Sequence, residues 1–590
     1  MCIAAAGLPA PTEVTLPVDA PGDFEKYEGM YVTLPQPLVI SEYFNFDRFG
    51  EIVLTTDRLM QPTAVFEPGS TDVSDLTDLN GRSKLTLDDG RSAQNPDPAI
   101  HPNGSVFDLG NLFRGGDIVA NVTGVMDFGF GLYRIQPTQG ADYTSANPRT
   151  ALPADVGGSL KVSSFNVLNY FNGDGLGGGF PTARGATDPE EFTRQRDKII
   201  AAMTAIDADI FGLMEMENDG YESTSAIQDL VNGLNAATAP DTYAIIDPGL
   251  TVIGTDEIAV GLIYKAAVVT PLGSSAILDA GVDPRFLDTK NRPALAQTFV
   301  ENFSGGVFTV VVNHLKSKGS DCNDVGDEDI GDGAGNCNLT RAAAAEALVD
   351  WLASDPTGST DADILIIGDL NSYDKEDPID VFTTNGFTDL VAIYGGEFAY
   401  SFVFDAQIGY LDYALASPVL LDQVSAVTEW HINADEPDLI DFDTSFKGPN
   451  QDALYAPDPY RSSDHDPIIA GLDLLHYDFS GFFKPVKNVP AVNTAKAGSS
   501  IPIKFSLGGD FGLDILAVGY PVSAQADCDS GVPGGKEETL TAGGSSLNYD
   551  AEEDQYIYVW KTSGDWAGTC RDLTVLLKDG SYHLASFKFK

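Results

Sequence analysis

Six short segments of the chain carry residues able to do chemistry. Asn166 stands in Ser163-Ser164-Phe165-Asn166-Val167, Glu215 in Gly212-Leu213-Met214-Glu215 and His314 in Val312-Asn313-His314-Leu315. Asp369 and Asn371 share Ile367-Gly368-Asp369-Leu370-Asn371, and Asp412 lies in Tyr410-Leu411-Asp412-Tyr413. Asp464 and His465 close the series in Arg461-Ser462-Ser463-Asp464-His465-Asp466-Pro467. Oxygen donors at 166, 215 and 464 suit a hard divalent cation: Mg²⁺ or Mn²⁺, with Ca²⁺ as the alternative. Asp369 and Asn371, two apart, can point to one side of a strand end, the carboxylate toward a water and the amide toward a phosphoryl oxygen. Two imidazoles, His314 and His465, move protons near neutral pH, and Asp412 can set the tautomer of one of them. Hydrolysis of a phosphoester uses all of these parts.

Taken singly, each signal has a bland reading. A Glu after a strand is usually solvated, Gly-Asp-x-Asn is a common turn, and His101, His431, His476 and His583 read as surface or satisfied core residues. The weight lies in the joint order over about 300 residues. Each polar residue also sits at or just past the end of an apolar run, where strands deliver side chains to a shared rim.

The elements that must do the positioning follow from length and pattern. At 590 residues the chain exceeds one core, so two to four domains are expected. Residues 1–20, rich in Ala, Pro and Val, read as a linker or the tail of a further segment. Residues 21–150 read as short strands with Gly, Asn and Asp turns and no long helical period, which predicts a small β-barrel or sandwich. The polar stretch 138–158, with Pro148 and Pro153, reads as a linker. Residues 158–475 alternate strands and helices. Asp188-Pro189 is a strong helix start, with Phe192, Ile199, Met203 and Ile206 on one face, and 341–352 is a second helix. Residues 478–590 alternate without a helix and predict an Ig-like β-sandwich.

Composition narrows the partners. Eighty-seven acidic against 34 basic residues leave a formal net charge of −53. Such a chain repels nucleic acid at long range, so binding must rest on metal and a few local cations. Five cysteines pair economically as Cys322–Cys337 and Cys528–Cys570, leaving Cys2, and imply an oxidising compartment. No run of about 20 apolar residues exists to span a membrane. No signal-peptide pattern is visible, so a secreted protein of this sequence is expected to have its leader removed or outside it.

The six segments, as a set, resemble the endonuclease/exonuclease/phosphatase superfamily with the fold of deoxyribonuclease I. The resemblance implies a four-layer α+β deoxyribonuclease I-like sandwich in the middle of a multidomain chain, followed by the Ig-like sandwich read above and preceded by a β-domain that the wider resemblance below implies is OB-like. It implies that Asn166, Glu215 and Asp464 serve the metal and that Asp369 and Asn371 orient water and phosphate. His465 with Asp412 would form a His–carboxylate pair, with His314 the other proton-transfer histidine. Asn291-Arg292-Pro293 is similar to the family's phosphate-contacting arginine segment, and either Asp256 or Glu257 would orient His314. Met214 departs from the Gln usual in the family and is expected to pack beneath the site. Glu217, two residues past Glu215, is a second candidate for its role.

A wider resemblance rests on Phe24-Glu25-Lys26-Tyr27-Glu28-Gly29-Met30, on Asn313-His314-Leu315-Lys316-Ser317-Lys318-Gly319 and on Gly335-Asn336-Cys337-Asn338-Leu339-Thr340-Arg341. It points to large extracellular bacterial nucleases of the ExeM/NucH type. The tail resembles a β module named for a Pro-x-Lys-Phe motif. The expectation is therefore a secreted or cell-surface, monomeric, divalent-metal-dependent nuclease acting on DNA, with RNA the other polymer open to this chemistry. Lys316 and Lys318, following His314 directly, are expected to hold phosphate. The acidic insert Asp321 to Asn336, with Asp327 and Asp329, is a candidate Ca²⁺ loop without EF-hand spacing. Two other functions compete: a secreted phosphodiesterase or phosphatase acting on a lipid or small phosphoester, and a non-catalytic surface-binding protein.

Overall fold

The computed structural model describes residues 10–526, 528, 533–541 and 547–590. Two six-stranded sheets make the centre of the molecule. The first runs Tyr243–Ile245, Ile258–Lys265, Ile210–Glu217, Leu160–Tyr170, Ile468–Leu472, Val424–Glu429. The second runs Val269–Leu278, Arg292–Glu301, Val307–His314, Ile364–Asp369, Asp412–Ala416, Thr388–Asp389. Strand alternation sorts their side chains between two cores. Leu160, Val162, Ile210 and Met214 join Leu295, Val310, Val312 and Ile367 in the core between the sheets. Phe165, Val167, Phe211 and Leu213 turn the other way, against Ile199, Met203, Leu230 and Leu234 of helices Pro189–Ile206 and Ala226–Ala237. Gly212 marks how closely the sheets approach: a Cβ there would meet Ile367 Cδ1 at 2.5 Å and Val312 Cγ2 at 2.8 Å.

Local chemistry explains the helices. Asp188 caps Pro189–Ile206 by accepting from the N–H groups of Glu190 and Glu191, with Pro189 at the first helical position. Helix Asn338–Ala353 is capped across the disulfide loop: Asp327 accepts from Leu339 N at 3.2 Å and Thr340 N at 2.7 Å. Asp327 therefore serves a helix end. Both carboxylate oxygens of Asp327 are committed to backbone N–H groups of that helix start. Cys322–Cys337 and Cys528–Cys570 are both joined, and Cys2 lies outside the described residues.

The N-terminal region corrects three expectations. Residues 12–18 are not a linker: Thr12–Glu13 pairs with Tyr31–Leu34, and Val14, Leu16 and Val18 are buried with Phe24, Val32 and Leu34. Their period of two is the strand signal that a composition rich in Ala and Pro obscured. A helix also exists, Thr71–Arg82, capped by Ser70. Only Val73 and Asn80 of it are buried, so no apolar stripe betrayed it. The polar stretch before the central region is likewise pinned: Asp142–Thr144 pairs with Ile118–Ala120, and Arg149 grips Glu436 at 2.6 Å.

Nine strands form the N-terminal sheet. At the other end, two five-stranded sheets enclose an aromatic core that includes Phe505, Tyr556, Trp560 and Phe587. Among the described residues no helix is long and apolar enough to cross a membrane.

Candidate active site

Strand register does most of the assembly. In the second sheet Arg292 pairs with His314, His314 with Asp369 and Asp369 with Asp412, so four expected site residues form one row across four adjacent strands. Neighbouring strands lie about 4.8 Å apart, which puts each side chain within reach of the next. Gly368, one residue before Asp369, must be glycine: its φ is +133°, and a Cβ there would lie 1.9 Å from the Asn313 carbonyl oxygen.

The first sheet contributes through irregularity. Between Leu213↔Gly261 and Met216↔Ala259 its strand carries one extra residue, and Glu215 sits in that bulge with a left-handed φ of 63°. The bulge keeps Met214 buried beneath the site and releases Glu215 to the rim. Leu168 and Asn169, also left-handed, swing the neighbouring strand so that Asn169 N donates to Glu215 Oε2 at 3.0 Å. Non-glycine residues in this conformation cost free energy that the surroundings must offset, and such positions cluster at functional sites. Asn371, with φ 49°, is a further case; its N–H reaches Asp369 Oδ1 at 2.8 Å and its amide donates to the Leu315 carbonyl at 3.1 Å.

Asp369 is the meeting point. Its Oδ2 lies 3.4 Å from Asn166 Nδ2, 3.6 Å from His314 Nε2 and 4.0 Å from His465 Nε2. Burial pushes its carboxyl up to about 7, with His465 pulling down and Asp412 and Glu215 pushing further up. His465 Nδ1 bonds Asp412 Oδ2 at 2.7 Å, and Ser401 Oγ donates to the same oxygen at 2.6 Å. Burial alone would lower this imidazole, yet Asp412, Asp464 and Asp369 hold it well above the usual histidine range. His314 goes the opposite way: burial, then Arg292, His465 and Arg184, drive it well below that range. Two imidazoles of opposite preference thus face one carboxylate that titrates near neutrality.

Several expectations need correction. Asn166 turns its amide nitrogen, not its oxygen, to Glu215 and Asp369, each at 3.4 Å, while its Oδ1 accepts from Leu168 N. It therefore braces the two carboxylates instead of presenting a ligand oxygen. Lys318 is tied to Glu376 and lies 4.7 Å over the Tyr373 ring, with Thr63 donating to the same carboxylate oxygen. It is not free for phosphate: it neutralises buried Glu376, which Arg341 also faces at 3.8 Å. Asp256 does not orient His314, whose Nδ1 has no hydrogen-bond partner among the described residues. One Asp256 oxygen takes Arg184 at 2.9 Å and the other Arg292 at 3.2 Å. Glu217 accepts from Asn172 N at 2.9 Å, away from the Asp369 cluster.

Arg184 escaped the sequence reading because it lies in an exposed Gly-rich loop without periodicity. With Arg292 and Lys316 it makes a cationic rim beside His314. Asn433 was missed too: its side chain accepts from Ser462 N and Ser463 N and donates to the His465 carbonyl at 2.6 Å, shaping the Asp464–His465 loop from 29 to 32 positions away.

A family model described as endonuclease/exonuclease/phosphatase family matches residues 163–465, just over half of the chain. The chain belongs to the endonuclease/exonuclease/phosphatase family. Members of this family are hydrolases of phosphoester bonds. A second model, a domain of unknown function (DUF8508), matches residues 18–148. No curated protein matches the chain. Among solved structures, the human Nocturnin catalytic domain with bound sulfate is 17% identical, with 53% of this chain and 93% of that one covered and a TM-score of 0.31. A Bacteroides thetaiotaomicron endonuclease/exonuclease/phosphatase family protein gives 17%, 53%, 96% and 0.31. ANGEL2, described as a 2′,3′-cyclic phosphatase in complex with adenosine-2′,3′-vanadate, gives 12%, 53%, 94% and 0.32. Overlaps of this size say nothing of this chain's substrate.

Proposed function

We propose that this endonuclease/exonuclease/phosphatase family protein is a secreted, divalent-metal-dependent nuclease that hydrolyses DNA phosphodiester bonds with an activated water. The observation carrying this reading is the convergence of His314 and His465, with opposite charge preferences, on Asp369. Asp369, poised near 7, takes the proton of the attacking water. His465, kept cationic by Asp412, donates to the phosphate or the leaving oxygen. Neutral His314 shares the proton traffic at Asp369, and Arg292, Arg184 and Lys316 hold the phosphodiester. Two disulfides and the acidic surface support an extracellular setting. We read the flanking domains as OB-like and Ig-like modules.

The donor set fits a hard cation. Burial and then the facing Asp464 charge push the Glu215 carboxyl up, while His465, Asn166 and Arg292 pull it back down. One or two carboxylates, with water and substrate phosphate filling the other positions, are what Mg²⁺ commonly uses. Glu215 and Asp464 would hold it, and the ion when bound would neutralise charge developing on the phosphate.

A substrate panel tests the reading. Supercoiled plasmid is incubated with the protein and Mg²⁺, Mn²⁺ or Ca²⁺, beside choline phosphate esters and sugar phosphates. Nicking that vanishes in Asp369→Ala supports the proposal. An intact plasmid with phosphate released from a small ester sinks it in favour of a phosphatase.

A further inference from the structure

A cleft of about 730 Å³ lies between the N-terminal domain and the catalytic rim, within the size range of ligand sites. It opens on the site itself, since Asp464 and Phe402 line it. The Phe402 ring stacks on the His465 imidazole with centroids 4.6 Å apart and planes 29° from parallel. Phe404, two residues along the same strand and so on the same face, is 63% exposed. Successive same-face positions are about 6.8 Å apart, which leaves room for a planar group between the two rings. The N-terminal domain lines the cleft with Phe44, 70% exposed, and with Leu132 and Tyr133. Strand pairing fixes these walls together: Phe402–Phe404 pairs with Gln407–Gly409, which pairs with Leu59–Met60 of the N-terminal domain.

Apart from Asp464, which faces the catalytic site, the charged side chains of the cleft already have partners. Lys84 pairs with Asp405 at 2.6 Å, Arg461 pairs with Asp438, and Glu42 accepts from the N–H groups of Tyr43 and Phe44. Arg184, Arg292 and Lys316 do not line it. The molecule therefore separates a cationic rim suited to phosphates from an aromatic wall with no unpaired cation. Exposed rings in a concave wall next to a reaction centre form a platform on which planar, apolar-faced groups can stack.

We propose that this cleft binds unstacked nucleobases of a single-stranded stretch adjoining the scissile phosphate, stacked on Phe402, Phe404 and Phe44. The proposal rests on the nuclease reading above and adds a preference for single-stranded or locally opened substrate. Stacking on an aromatic side chain contributes about 1–3 kcal/mol per base, a factor of about 5 to 150.

The test is anisotropy of a labelled oligothymidylate titrated with the full chain in EDTA, beside the ratio of single-strand to duplex cleavage with metal. The Phe44→Ala/Phe404→Ala double variant should bind the single strand at least tenfold more weakly, and its single-strand to duplex ratio should fall. The Phe44→Trp/Phe404→Trp pair should retain binding, whereas Phe44→Leu/Phe404→Leu should not. Both residues are exposed, and matching thermal melts confirm that the variants fold. Unchanged binding in the alanine pair, or leucine serving as well as phenylalanine, overturns the proposal. If wild-type protein nicks plasmid yet binds no single strand, this inference falls and the nuclease reading stands. If it cuts no polynucleotide at all, the nuclease reading falls and takes this one with it.

Discussion

His465 and His431 each present Nδ1 to an aspartate, at 2.7 Å to Asp412 and 2.9 Å to Asp466, and each lies against an aromatic ring. The pairs interleave, since His465 and Asp466 are adjacent. What separates them is the surroundings of the rest of each ring. His465 Nε2 looks into the carboxylates of the site. His431 stacks at 3.9 Å on Tyr400, which donates to Asp435, and Asp435 is gripped by Arg58 at 2.8 Å from the N-terminal domain. Asp466 meanwhile accepts from Asn433 N and Ala434 N. One pair is placed for proton chemistry, while the other ties the loop bearing that chemistry to a neighbouring domain. The same two residue types do unlike work because a His–Asp pair takes its role from the third group it faces.

The strongest way to break the comparison is His465→Ala, which should lower DNA hydrolysis by about 10³-fold, the middle of the range for removing a proton-transfer group, with the melting temperature little changed. Loss of activity no greater than in His431→Ala would erase the distinction. Next comes Asp412→Asn, which keeps the shape but not the charge holding His465 cationic. Hydrolysis should fall about 10²-fold and the alkaline limb of the pH–rate profile should move to lower pH; an unmoved limb would remove Asp412 from that role.

The smallest effect on turnover belongs to His431→Ala, expected within about threefold of wild type, with its cost appearing in stability. Burial pulls the His431 imidazole down, but Asp466, then Asp435 and Glu429, outweigh it and raise it above the ordinary value. A group raised on folding stabilises fully below its unfolded value of about 6.5 and loses that contribution as pH climbs through the folded value. The melting-temperature gap between wild type and variant should therefore be widest at pH 6 and below and should close at alkaline pH. A gap independent of pH would mean that His431 acts by packing alone.

Much of the site was legible because its residues end strands, and a strand announces itself by short apolar runs. Asp369, His314 and Asp412 followed from such runs, the Asp188-capped helix from its cap and helical period, and both disulfides from the count and placement of the cysteines. Arg184 was invisible because an exposed Gly-rich loop has no period. Helix Thr71–Arg82 was hidden because it buries almost nothing. Val14, Leu16 and Val18 did alternate, but a strand that pairs in parallel with a later one leaves no hairpin turn between them to flag it. Lys316 and Lys318 looked equivalent, and only one remained beside the site.

The sequence by itself determined which functional groups exist, roughly which element carries each, and the family to which the arrangement belongs. Tertiary structure alone decided the partners. Asp412 and His465 are 53 positions apart, Lys318 and Glu376 are 58 apart, and Arg58 and Asp435 are 377 apart. Register across the sheets, the bulge at Glu215 and the packing of the N-terminal domain bring these groups together. None of these is encoded in local spacing, because a side chain's charge state and task depend on distances that only the folded chain defines.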